Sequence, residues 1–150
     1  MGKVGPQYTR QSFFDAARRR VREARVLLDH PTSQKQRDGA VTMALVAAEC
    51  ALKAALLQGH QVNSIDDLWG GPVADLFKGK KGHDLLELWR GLPAPISAQT
   101  TAAEDQAMIC LNGADTYLHR YGVKKPRREH AEPLVKSAER LVAWMNHVVT

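Results

Sequence analysis

Apolar residues recur along most of this chain at the three- and four-residue spacing of amphipathic helices. The pattern predicts five helices, over residues 11–29, 33–59 and 82–91, then from just after Ser97 or Thr100 to 119, and 127–147. No segment predicts a strand, and the chain has no internal repeat. We therefore predict an all-α fold, a four- to five-helix up-down bundle with short antiparallel connections.

Helix two is apolar on almost every side, in the run AVTMALVAAECALKAALL from residue 40 to residue 57. Such a helix is either the centre of a bundle or a membrane span. The charges of Glu49 and Lys53 within eighteen residues favour the bundle. Because one small bundle is not expected to cover all of this helix, we also predict a symmetric homodimer.

The segment 60–82 breaks the helical pattern with four glycines and Pro72. It predicts an irregular connection with short helical candidates at 64–69 and 72–78. No P-loop spacing occurs among its glycines. We assign residues 1–150 to a single domain, with residues 1–10 as a flexible N-terminus.

Composition adds limits to this picture but little chemistry. The chain has 150 residues, a formal net charge of +5 and two cysteines, both within apolar helical runs. It shows no zinc spacing, no nucleophile elbow and no dinucleotide-binding fingerprint. The first residues lack an apolar signal core. We therefore expect a cytoplasmic protein with no metal and no cofactor.

Charge is uneven, and both ends of the chain are basic. Arg18, Arg22 and Arg25 lie on a stripe beside the apolar face of helix one. That stripe is either a solvated flank or a phosphate-binding footprint. A second basic run precedes helix five and carries the same two interpretations; its cations are Lys124, Lys125, Arg127 and Arg128.

Two pairs of residues are candidates for a cleft. Glu49 sits inside the most apolar helix, where a carboxylate must be paired, protonated or facing a cleft. We predict that it pairs with Lys53 or with an arginine of helix one; the alternative is a functional cleft or a contact between subunits. His83 and Asp84 open helix three, where they either cap the helix or contact a ligand.

The end of helix four brings three further side chains together in YLHRYG. His119, Arg120 and Tyr121 combine an imidazole, a cation and a ring. Such a set could bind a phosphate or a base. Equally, it could cap the helix carbonyls and pack the next loop.

The order of these segments resembles the HEPN superfamily of small helical domains. The resemblance spans about residues 13–145. It is carried by ARVLLD, AAECALKAALLQG, GHDLLELW, HRYG and AEPLVKSAERLVAWM. Its most specific parts are the Glu49–Lys53 pair, the HDLLEL turn and Arg120–Tyr121.

The resemblance implies a helical bundle that usually forms a homodimer. Many members of the family are metal-independent ribonucleases of toxin–antitoxin, abortive-infection or CRISPR systems, and others bind nucleotides or partner proteins without catalysis. The ribonucleases carry an Arg followed by a His five to seven positions later. Arg120 has no such His, because His130 comes ten positions later. Arg25–His30 and Arg140–His147 match the spacing elsewhere.

We therefore expect a non-catalytic, dimeric HEPN-like module that binds a nucleotide, RNA or a partner protein, such as a cognate antitoxin or defence-system protein, and no membrane. The alternatives are a metal-independent ribonuclease toxin and a purely structural dimerisation domain. In the ribonuclease, a His would take the 2′-OH proton and an Arg would stabilise the phosphorane. The catalytic candidates are Arg120, His119, His130, Arg140 and His147.

Overall fold

The structure, a computed structural model, describes residues 8–29, 34–68, 72–77, 84–120 and 128–149, with side chains at 8–29, 36–68, 73–77, 84–114 and 131–149. Helices dominate these residues, and the all-α prediction is confirmed. The helices are α1 (Arg10–Asp29), α2 (Gln34–Gly59), α3 (Pro72–Asp75), α4 (Leu85–Arg90), α5 (Ala94–Ser97), α6 (Ala102–Arg120) and α7 (Arg128–Val149), with a 3-10 helix at Ile65–Leu68.

Helices α1 and α2 pack as an antiparallel pair. At one end the Arg10 guanidinium donates to Gln58 Oε1 (2.7 Å) and Asn63 Oδ1 (2.9 Å). Towards the other end, Leu27 packs closely against Gly39, where an added Cβ would lie 3.2 Å from Leu27 Cδ1. The N-terminal residues 8–10 are fixed by backbone bonds to the segment after α2. These three residues belong to the segment predicted to be a flexible N-terminus, and residues 1–7 of that segment lie outside the described part.

Helix α2 is the core of the molecule. It packs against α1, α7, α4 and α5, and residues 51–57 are all buried. Within the described residues, one helical stretch, Gln36–Gly59, is long and apolar enough to cross a membrane; 72% of its most apolar window is buried in the bundle. Burial against neighbouring helices accounts for its composition, as the sequence pattern predicted for a central helix.

The last long helix, α7, packs against α1, α2 and α6, and α6 also packs against α4. The rings of Trp89 on α4 and Trp144 on α7 meet at a centroid distance of 5.9 Å and a tilt of 56°. Helix α6 begins with a capping box. Thr101 Oγ1 accepts from the Ala103 N–H, and Glu104 Oε1 accepts from the Thr101 N–H at 2.9 Å.

The connections hold more helix than the pattern predicts. Pro93 and Pro95 lie just after the predicted end of helix three, and they open α5, because proline fits the first turn of a helix. Within the described residues, four long helices build the bundle, in agreement with the predicted four- to five-helix bundle, and three short ones lie between α2 and α6. The 60–82 connection contains the 3-10 helix and α3, both shorter than their predicted spans.

The end of α2 differs from the prediction in its mechanism. Gly59 lies at the predicted end of helix two, and a glycine at this position commonly ends a helix. Instead Gln61 takes the left-handed conformation (φ 57°), and the Val62 N–H donates to the Leu57 carbonyl. Gly59 serves another purpose, since a Cβ there would lie 2.3 Å from Pro93 Cγ. Glycine therefore allows α5 to approach α2.

Candidate functional site

The predicted pairing of Glu49 is confirmed at the seam between α1 and α2. Lys53 Nζ donates to Glu49 Oε2 at 3.0 Å, one helical turn along α2. The same ammonium lies 5.7 Å from the ring centroid of Phe13 on α1. The Lys53 side chain is 9% exposed and that of Glu49 is 20% exposed. A buried cation is thus held by a carboxylate and an aromatic face.

A thiol lies beside this pair. Burial, reinforced by the Glu49 charge and opposed by Lys53 and Arg20, raises the pKa of Cys50 to about 11. At neutral pH this cysteine is a protonated thiol, which is a poor nucleophile. This cluster is therefore packed, and its two charges pair with each other. Its members are Phe13, Glu49, Cys50 and Lys53.

A second cluster joins α1 to α7, and we call it the Arg25 network. Arg25 donates from Nη2 and Nε to the two carboxylate oxygens of Glu139, at 2.6 and 3.1 Å. Its Nη1 lies 3.2 Å from Glu132 Oε1 and 3.4 Å from Asp29 Oδ1. The hydrogen bond to Glu139 raises the pKa of Arg25, with burial opposing and Glu132 reinforcing the shift.

The Arg25 network changes the interpretation of the predicted arginine stripe. Three carboxylates already surround Arg25, so a phosphate would have to compete with them for its guanidinium. Glu132 and Glu139 were not among the predicted site residues. Their seven-residue spacing places them on one flank of α7, which was visible in the sequence. Their partner was not, because it depends on which helix packs against that flank.

Other arginines of α1 remain available. Arg18, Arg19 and Arg22 are exposed, and no carboxylate of the described residues pairs with them. Arg18 lies 5.5 Å from the ring centroid of Phe14, a contact that leaves the cation in solvent. The spacing of Arg18 and Arg22 places both on the flank that also carries Arg25. Arg19, which was not among the predicted site residues, extends this surface outward.

Two catalytic candidates lie on α7. Arg140 and His147 are both exposed, and their spacing places them on one face, about 10 Å apart along the helix axis. Lys136 shares that face and has a long contact of 4.0 Å with Glu132. The other Arg–His pair whose spacing matches that of the family's ribonucleases is Arg25–His30, and His30 lies outside the described residues.

At the start of α4, Asp84 is the N-cap. Its Oδ1 accepts from the N–H groups of Leu86 (3.1 Å) and Glu87 (3.2 Å). This local role accounts for the residue, in line with the capping interpretation. His83, the other candidate at the start of this helix, lies outside the described residues.

Several predicted site residues fall outside the described side chains. They are His119, Arg120, Tyr121, Lys124, Lys125, Arg127, Arg128 and His130. Among the side chains that the structure does describe, no group of three His, Cys, Asp or Glu could hold a metal ion. Among the described side chains, the remaining candidates for a functional site are therefore the exposed cations of α1 and α7 and the two clusters whose charges pair internally.

Comparison with protein-family models, curated proteins and solved structures finds no match for this chain.

Proposed function

We propose that this protein is a HEPN-like helical module that binds RNA through its phosphate backbone. The observation that carries the proposal is the division of arginines on α1. Arg10, Arg20 and Arg25 are held by neighbouring side chains, whereas Arg18, Arg19 and Arg22 are exposed and have no carboxylate partner within the described residues. A group of solvated guanidinium groups attracts phosphates through charge and does not select bases.

The structural support for the HEPN-like assignment is local. The Glu49–Lys53 pair forms within the apolar helix, and Asp84 caps the helix of the HDLLEL turn. Helix α6 continues to Arg120. These are positions that carried the resemblance, and their arrangement in an all-α bundle is compatible with it.

The test is a salt titration of RNA binding by the purified full chain, followed by fluorescence anisotropy. We expect similar affinity for labelled single strands of different sequence. In a plot of the logarithm of the binding constant against the logarithm of salt concentration, the slope should become more negative by about 0.7 for each phosphate contact. Exchanging Arg18 and Arg22 together for Gln should flatten that slope. Absence of binding at low salt would refute the proposal and leave a protein-partner module or a structural dimerisation domain.

A metal-independent ribonuclease is the second candidate, and one observation favours it. Arg140 and His147 lie exposed on a single face of α7, with the spacing that the family's ribonucleases use. If they act together, RNA should be cleaved in the presence of EDTA, and His147→Ala should abolish cleavage. RNA that is bound but stays intact supports the non-catalytic module.

Homodimer formation is part of the proposal, as is a cytoplasmic location. The large apolar side chains that are exposed within the described residues are Tyr8, Val26 and Ile109, on separate parts of the molecule. The dimer was predicted because one bundle was not expected to cover all of helix two. Since α2 is largely covered within its own bundle, a dimer would not need α2 as its interface. Light scattering at micromolar concentration tests this: a monomer would contradict the dimer and leave the RNA-binding proposal standing.

A further inference from the structure

The Arg25 network fixes the relative position of two basic helix faces. Arg25 of α1 bonds both oxygens of Glu139 on α7 and also reaches Glu132, two turns away on the same flank. These contacts hold the solvent-facing side of α1 beside that of α7. Exposed cations that lie within one turn of the Arg25–Glu139 contact, on the outward side of either helix, are therefore close to this seam.

Two free cations border this seam, one on each helix. Arg22 lies three residues before Arg25, and Arg140 directly follows Glu139. Both are exposed, and no carboxylate of the described residues pairs with either. Arg18 continues the row on α1, and Lys136 continues it on α7. The seam thus has cations on both sides.

The carboxylates at the seam are already engaged. Glu139 is bonded by Arg25 through both oxygens, Glu132 is shared between Arg25 and Lys136, and Asp29 Oδ1 lies 3.4 Å from Arg25 Nη1. Their repulsion of an anionic ligand is reduced by these bonds. The exposed arginines on either side then dominate the interaction with a nearby phosphate.

From this arrangement we infer that a nucleic-acid strand crosses the α1–α7 seam, with separate phosphates bound by Arg22 and Arg140. Packed helix axes are about 8–10 Å apart, and Arg22 and Arg140 are exposed on the outward sides of the two helices, so we assign them to separate phosphates and not to one. The ligand is therefore an oligonucleotide and not a mononucleotide or inorganic phosphate. This inference rests on the proposed RNA-binding function and adds α7 to its surface.

The test compares three single variants of the full chain that each remove one exposed arginine. They are Arg22→Gln, Arg140→Gln and, as a matched control away from the seam, Arg90→Gln on α4. Thermal unfolding first confirms that each variant is folded. Fluorescence anisotropy then measures the affinity for a labelled single-stranded RNA of about twelve nucleotides, a length within the usual range of single-strand sites.

We expect Arg22→Gln and Arg140→Gln each to weaken binding about three- to fivefold and to lower the salt slope by about 0.7, while Arg90→Gln changes neither. Mononucleotide and inorganic phosphate should fail to displace the strand. If Arg140→Gln behaves as Arg90→Gln while Arg22→Gln weakens binding, the inference is overturned and the proposed function stands. If the unaltered protein binds no RNA, both fail.

Discussion

Helix α1 contacts a cation cluster on each of its two flanks, and the two clusters differ in their access to water. On the α2 side, Lys53 is 9% exposed and is held by Glu49 and the Phe13 ring. On the α7 side, Arg25 is 27% exposed and is surrounded by three carboxylates. The first cluster is part of the core, whereas the second borders solvent beside free arginines.

The difference separates charge that stabilises the fold from charge that can meet a ligand. A buried ion pair resists exchange with outside anions, because separating it would leave an unpaired charge in a medium of low dielectric. The Arg25 network is partly exposed, so disturbing it costs less free energy, and salt screens its charges. The free arginines lie beside the second cluster and not the first, so ligand binding should leave the core pair unchanged.

The largest effect should follow from breaking the buried pair. Glu49→Ala leaves the Lys53 ammonium in the core without its carboxylate, and should lower the free energy of unfolding by about 2–3 kcal/mol. Removing both charges together, with Glu49→Gln and Lys53→Met in one variant, leaves neither partner unpaired and should cost about 1 kcal/mol or less. Urea unfolding of both variants measures the difference. Equal losses would show that shape and not charge governs the site.

The next effect concerns pH at the same seam. The folded pKa of Cys50 is about 11, above the ordinary value of 9.0. Its contribution to stability is therefore complete below pH 9 and is lost as pH rises through 11. Relative to Cys50→Ala, the unaltered protein should lose about 1–2 kcal/mol between those limits. Parallel pH profiles for the two proteins would contradict the shift.

A smaller loss is expected at the exposed cluster. Arg25→Gln removes the guanidinium that joins α1 to α7, and should lower the free energy of unfolding by about 1 kcal/mol, because the network is partly solvated. Arg90→Gln, an exposed arginine without a carboxylate partner among the described residues, serves as the control and should cost almost nothing. A loss at Arg25 as large as that of Glu49→Ala would remove the distinction between the clusters.

Salt should distinguish the clusters by a few tenths of a kcal/mol. In about 1 M NaCl the Debye length is about 3 Å, so the coupling of Arg25 to Glu139 should shrink while that of Lys53 to Glu49 persists. Double-mutant cycles at low and high salt measure both couplings. Equal screening of the two would mean that water reaches Lys53 as freely as Arg25.

The two clusters also differ in how far the sequence could predict them. The Glu49–Lys53 pair lies within one turn of one helix, so the spacing of its residues was sufficient. The Arg25 network joins residues more than a hundred positions apart, and helix periodicity says which flank a residue occupies but not what packs there. The short helix α5 was missed for a related reason: its prolines indicate a break and a first turn equally.

The central claim is that exposed arginines on one flank of α1 bind RNA, and comparing Arg22→Gln with Arg20→Gln tests it most directly. The two residues lie on opposite flanks of the same helix, and Arg20 is paired with Glu23 at 2.6 Å. Both variants remove one positive charge, so net charge is matched. We predict that Arg22→Gln weakens RNA binding about three- to fivefold and Arg20→Gln leaves it unchanged, with unfolding free energies within about 0.5 kcal/mol of the unaltered protein. Equal affinities for the two variants would contradict the account.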